Sequence, residues 1–118
     1  MTYRPLPDEH ESLTHKATIG TLDVYITLGL YQDGELGSVL VSMGKEGSEL
    51  RLLSAVADGI TIGIQHGVPL IVYVEQYKYH QMGTGGTTSD QEIPLVKSVL
   101  DYLAKLLERK FIKAKPSI

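Results

Sequence analysis

Apolar and polar residues alternate from Val24 to Tyr31. Val24, Ile26, Leu28 and Leu30 fall on one side and Tyr25, Thr27, Gly29 and Tyr31 on the other, the period of two that gives a strand one apolar face. Asp33-Gly34 follows as a hairpin turn signal, with Gly37 close behind, and Val39, Val41 and Met43 resume the alternation. Leu13–Ile19 reads as a further strand joined through Gly20-Thr21. The segment from Leu13 to Met43 therefore predicts an antiparallel β-meander of about three strands. Ahead of it, residues 1–11 carry Pro5 and Pro7 and predict an extended N-terminal arm, because each proline disfavours helical backbone in the residue before it.

The period changes after Gly47. Leu50, Leu53, Val56, Ala57, Ile60 and Ile64 recur at helical spacing, Ser48 offers an N-cap hydroxyl, and His66-Gly67 with Pro69 marks the end. Gly59 and Gly63 each cost this helix about 1 kcal/mol relative to alanine. Their spacing leaves a smooth strip for close packing, either within the domain or against another subunit. Residues 69–79 are ambiguous: Ile71-Val72-Tyr73-Val74 favours a strand by propensity, while Pro69 suits the first position of a helix. A last helix is expected to open with Pro94 at N1 and to bury Val96, Val99, Leu100, Leu103, Leu106 and Leu107, with Asp90 and Glu92 near its positive end. The fold class predicted is α+β, an antiparallel meander packed against two long helices plus the short ambiguous segment.

Composition narrows the function classes. The 118 residues, 42% hydrophobic and 21% charged, suit one folded domain, taken here as 1–118 with a basic C-terminal tail at 109–118. No apolar run is long enough to span a bilayer, and the N-terminal stretch does not resemble a secretory signal, so a cytoplasmic protein with no membrane partner is expected. There is no cysteine, which excludes disulfides, Cys-based metal and iron–sulfur sites and any thiolate or thiyl chemistry carried by this sequence. A net charge of −3 makes nucleic acid an unfavourable general partner. Lys105, Arg109, Lys110, Lys113 and Lys115 nevertheless cluster near the end of the sequence, as a cationic helix terminus and solvated tail or as a phosphate-binding tail.

Candidate chemistry is sparse. The four histidines lack metal-ligand spacing, so no metal site is expected, and neither a nucleophile elbow nor a carboxylate pair can be picked out, so no catalytic residue is assigned. Gly83-Thr84-Gly85-Gly86-Thr87-Thr88-Ser89 is either a surface connection or a loop whose amides and hydroxyls wrap an anion. It has no P-loop lysine. Gly44-Lys45-Glu46-Gly47-Ser48 leads into the first long helix and is either a turn or an anion site reinforced by Lys45. Tyr73, Tyr77 and Tyr79 can edge the core, stack on a base or line an interface.

Several stretches, in order, carry a resemblance: Leu13-Thr14-His15-Lys16, Tyr25-Ile26-Thr27-Leu28-Gly29-Leu30-Tyr31, Asp33-Gly34, Gly44-Lys45-Glu46-Gly47-Ser48, Gly67-Val68-Pro69-Leu70 and Ser98-Val99-Leu100-Asp101-Tyr102-Leu103. From about Arg4 to Leu107 the sequence resembles the C-terminal TSCPD domain of adenosylcobalamin-dependent (class II) ribonucleotide reductases. The resemblance implies that the radical cysteine, the substrate site and most cobalamin contacts lie in a large barrel domain outside this sequence. The cysteine of the family's name is missing, since the corresponding helix start reads Gly47-Ser48-Glu49-Leu50, and the loop Gly83–Ser89 departs from the family's usual charged and aromatic wording.

The expected function is thus a non-catalytic accessory subunit of a cobalamin-dependent ribonucleoside-diphosphate reductase, serving DNA synthesis. Adenosylcobalamin would be reached only through a partner barrel chain. The alternative is a stand-alone binder of a nucleotide or cyclic nucleotide, of host or viral origin, acting as an oligomer. The ligand-binding candidates are His15, Lys16, Lys45, Ser48, Gly83, Thr84, Gly85, Gly86 and Thr87. A homo-oligomer is expected, because a meander has edges to protect and helices that cover one layer.

Overall fold

The computed structural model describes residues 3–44 and 47–112. Lys45, Glu46 and the tail lysines Lys113 and Lys115 lie outside the described residues, as do Met1 and Thr2. The fold is α+β. Strands β1 (Glu11–Ile19), β2 (Leu22–Leu30) and β3 (Leu36–Met43) form an antiparallel sheet in the order β1-β2-β3. Helices α1 (Ser48–Gln65) and α2 (Leu70–Tyr77) follow, then a two-stranded ribbon of β4 (Gly86–Thr87) and β5 (Leu95–Val96), and finally α3 (Val99–Phe111).

The register explains the burial. Ala17 pairs with Val24 and Val24 with Met43, His15 with Ile26 and Ile26 with Val41, Leu13 with Leu28 and Leu28 with Val39. These rows share one face of the pleat, and that face lies under the helices. Gly20 has φ 61° in the β1–β2 turn, where a side chain would be strained. The core runs from Ile19, Val24, Ile26 and Leu28 to Leu53 and Ile60 of α1, Val74 of α2, and Val99, Leu103, Leu106 and Leu107 of α3. Helix α3 is the central element, with every residue from Val99 to Ala104 buried.

Each sheet edge is treated differently. At β3, Thr61 Oγ1 of α1 accepts from Val39 N at 2.9 Å and shares its one proton between Ala57 O (2.9 Å) and Val39 O (3.3 Å), and Gln65 Nε2 donates to Gly37 O at 2.9 Å. Helix α1 thus covers this edge, leaving Val39 and Val41 buried. At β1, Gly20 N donates to Thr87 O (2.8 Å), while Thr18 N donates to Ser89 Oγ and Ser89 N to Thr18 O (both 2.9 Å). These bonds stop at Thr18.

Several expectations are corrected. Ser48 is not the N-cap of α1: Gly47 holds that position, Ser48 is the first helical residue, and no side chain caps the start. Pro94 does not open the last helix, because Leu95 and Val96 are drawn into β5 by pairing with Thr87 and Gly86. The helix starts instead at Val99, where the N-cap Ser98 Oγ accepts from Asp101 N at 3.0 Å, and Asp101 in turn accepts from Lys97 N, one residue before the cap, at 2.8 Å. Asp101, rather than Asp90 or Glu92, is the acidic residue of its first turn. Gly83–Asp90 is not wholly irregular, since it contains β4. The ambiguous segment is helical from Leu70, with Pro69 at the N-cap rather than N1. A Cβ on Gly63 would overlap the Tyr73 hydroxyl, so this glycine admits α2 against α1 within the domain, while Gly59 faces open space. The extended arm gives way to β1 at Glu11, and Arg4 N bonds Gln65 O at 2.7 Å.

The edge role of Thr61 is testable. Thr61→Val keeps the shape but leaves the Val39 N–H without its acceptor, and should cost about 1–3 kcal/mol in urea unfolding. Thr61→Ser should restore most of the loss; equal stability of all three proteins would contradict the role.

Candidate functional site

Two polar neighbourhoods flank α3. The first is a seam made by the glycine-rich segment. Thr84 N and Thr84 Oγ1 donate to the Glu49 carboxylate of α1 at 2.8 and 3.1 Å. The loop therefore already holds a carboxylate, supplied by the chain itself. Gly83 lies at φ 71° against that carboxylate. Gly85 lets the backbone pass Lys97, where a Cβ would stand 2.4 Å from the carbonyl oxygen. Gly86 and Thr87 form β4, and Thr87 O receives Gly20 N. Ser48 stands at the start of α1 beside Glu49.

The segment ends at Asp90, whose side chain is 8% exposed. Its Oδ2 accepts from Tyr102 of α3 at 2.8 Å, lies 3.2 Å from His15 Nε2 of β1 and 3.7 Å from Arg109, while Oδ1 accepts from Glu92 N at 3.0 Å. Burial raises the pKa of Asp90, but the hydrogen bonds from Tyr102, Glu92 N and His15 and the charge of Arg109 outweigh it, and the carboxyl is held below its ordinary value. Burial, reinforced by Asp90, pushes the Tyr102 phenol well above its ordinary value, so it remains a donor. His15 thus joins a structural hub that ties β1 to α3. Lys16 points to the other face of the sheet, 5.7 Å over the Tyr25 ring, and is not brought together with the loop.

The second neighbourhood is a cavity of about 840 Å³ between α2, the β4–β5 connection and α3. None of the nine ligand-binding candidates lines it, but Tyr79, Lys105 and Arg109, singled out in the sequence for stacking or phosphate binding, do. Its apolar wall includes Ile71, Ile93, Pro94, Leu95 and Ile112, and Leu95 is 64% exposed. Lys78, Lys105 and Arg109 face it, but so do Glu75, Glu92 and Glu108. Lys78 donates to Glu108 at 2.8 Å and Lys105 to the buried Asp101 at 3.1 Å. The balance leaves no excess positive charge for a polyanion. Tyr79, exposed over the cavity with Lys105 4.7 Å from its ring centroid, is the one described non-glycine residue at positive φ, 68°. That conformation costs a bulky residue about 1–2 kcal/mol. It is held by Tyr79 N donating to Asp101 at 2.6 Å. Tyr73 and Tyr77 stack on each other instead, at 6.4 Å. Among the described residues no group of His, Asp and Glu is placed to hold a metal ion, and no helix is long and apolar enough to cross a membrane.

What these features define is an α+β domain with a one-sided sheet, a central buried helix and an apolar groove bounded by paired charges. The chain belongs to the TSCPD domain family, whose match covers residues 1–111. It is similar to a vitamin B12-dependent ribonucleotide reductase of Rhodopirellula baltica, 37% identical over 117 residues, covering 95% of this chain and 11% of that protein. Similarity extends to proteins of the same description from Streptantibioticus cattleyicolor, at 32% identity over 93% of this chain and 19% of the relative, and from Bradyrhizobium diazoefficiens, at 35% over 86% and 8%. The chain thus spans less than a fifth of the length of these relatives. No solved structure matches it.

The Asp90 hub predicts an acid response. Because the folded pKa is lowered, its stabilisation is complete above the ordinary carboxylate range and is lost as pH falls through the folded value. Acidification should lower the urea midpoint of the native protein more than that of Asp90→Asn; equal acid sensitivity would contradict the assignment.

Proposed function

We propose that this domain is a non-catalytic accessory part of a vitamin B12-dependent ribonucleotide reductase system, supporting deoxynucleotide supply for DNA synthesis by contact with a much larger reductase chain. The observation that carries the reading is the match itself: 95% of this chain aligns at 37% identity with only 11% of a named reductase. With no cysteine in these 118 residues, any thiol radical step lies outside them. The charge-balanced groove at Leu95, Ile93 and Tyr79 supports a protein contact over a phosphate ligand: apolar at its wall, with polar groups at its margin.

The test uses a vitamin B12-dependent reductase from which the matching segment has been deleted. Added in trans, this chain should raise ribonucleotide reduction several-fold, saturably. Leu95→Asp, altering an exposed side chain of the groove, should keep the fold and lose most of the rescue. No stimulation at saturating concentration would overturn the proposal.

A further inference from the structure

The sheet has one stretch of edge that none of the described residues closes. Thr18 turns its amide and carbonyl outward to Ser89, so in the unbroken β1–β2 register Ser12, Thr14 and Lys16 turn theirs the same way. No described segment bonds them, and residues 11–14 and 16 are exposed, in contrast to buried Val39 and Val41 on the opposite edge. We infer that this edge pairs antiparallel with the same edge of a second copy of the chain, joining two three-stranded sheets into one.

This edge is complementary to itself. Only residues that face outward can share ladder bonds, so Ser12, Thr14 and Lys16 must meet even-numbered partners. Pairing Ser12 with Thr14 of the second copy satisfies this, and the two-fold axis then falls between the two Leu13 residues. Leu13, 45% exposed, meets its own copy in a non-hydrogen-bonded pair, where side chains approach most closely. The same register sets the Glu11 carboxylate opposite the His15 imidazole of the second copy at both ends. It also halts at Lys16, short of the Ser89 bonds that occupy Thr18. Shifting it to centre on Thr14 would bring Glu11 opposite Ala17, against that seam, and lose the Glu11–His15 pairing. A symmetric pair of edges is closed by one contact, as an isologous interface requires.

The absence of cysteine makes the test direct. The full chain should be a dimer by sedimentation equilibrium at micromolar concentration. Leu13→Cys should oxidise to a covalent dimer at a dilution where Leu40→Cys, exposed on the far face of β3, does not. Leu13→Lys and Leu13→Glu should each be monomeric with unchanged circular dichroism, and an equimolar mixture should recover the dimer. A monomeric native chain, equal cross-linking at both cysteines, or dimers in both charged variants would overturn the inference. So would pairing of this edge with a reductase segment in place of the second copy.

Discussion

A three-stranded sheet with one buried face must do something about its two edges, and most of this fold follows from that constraint. Helix α1 lies along β3 because Thr61 and Gln65 reach the backbone of Val39 and Gly37. The segment 86–89 lies along the end of β1 because Thr18 and Gly20 have backbone groups to satisfy there. Unmade bonds of this kind are costly when buried, so the edge partners are as much part of the fold as the core. Once segment 86–89 is fixed, Asp90 arrives under Tyr102 and His15, and β5 sets where α3 can begin.

Two of the polar groups that looked like ligand binders from sequence, His15 and Thr84, are engaged with the chain itself. The glycine-rich loop holds Glu49, and His15 meets Asp90. Asp101, fully buried, ties Tyr79 N, Lys97 N and Lys105 together and so shapes one side of the groove. Function is accordingly sought at surfaces, the groove beside Leu95 and the open part of β1, rather than in an enclosed polar site.

The meander was legible because its signals are local: alternation from Val24, glycine turns, and the change of period after Gly47. The start of α3 was misread at Pro94, although Ser98 and Asp101 stood at capping-box spacing, because pairing of Leu95 and Val96 with β4 is not a local property. The β-branched run Ile71-Val72 obscured α2, whose docking depends on the notch at Gly63. His15 could have been placed by its position in the Leu13, His15, Ala17, Ile19 alternation. Its partner could not, since Asp90 lies 75 residues away. The cavity went unread for the same reason: its lining comes from α2, the β4–β5 connection and α3.

Amide hydrogen exchange, resolved by residue and measured at high and low protein concentration, tests the edge account most directly. Val39 and Gly20 should exchange slowly at both concentrations, closed by α1 and by segment 86–89. Ser12, Thr14 and Lys16 should be slow only in concentrated protein. Fast exchange at Val39 and Gly20, or no concentration dependence at Ser12, Thr14 and Lys16, would contradict it.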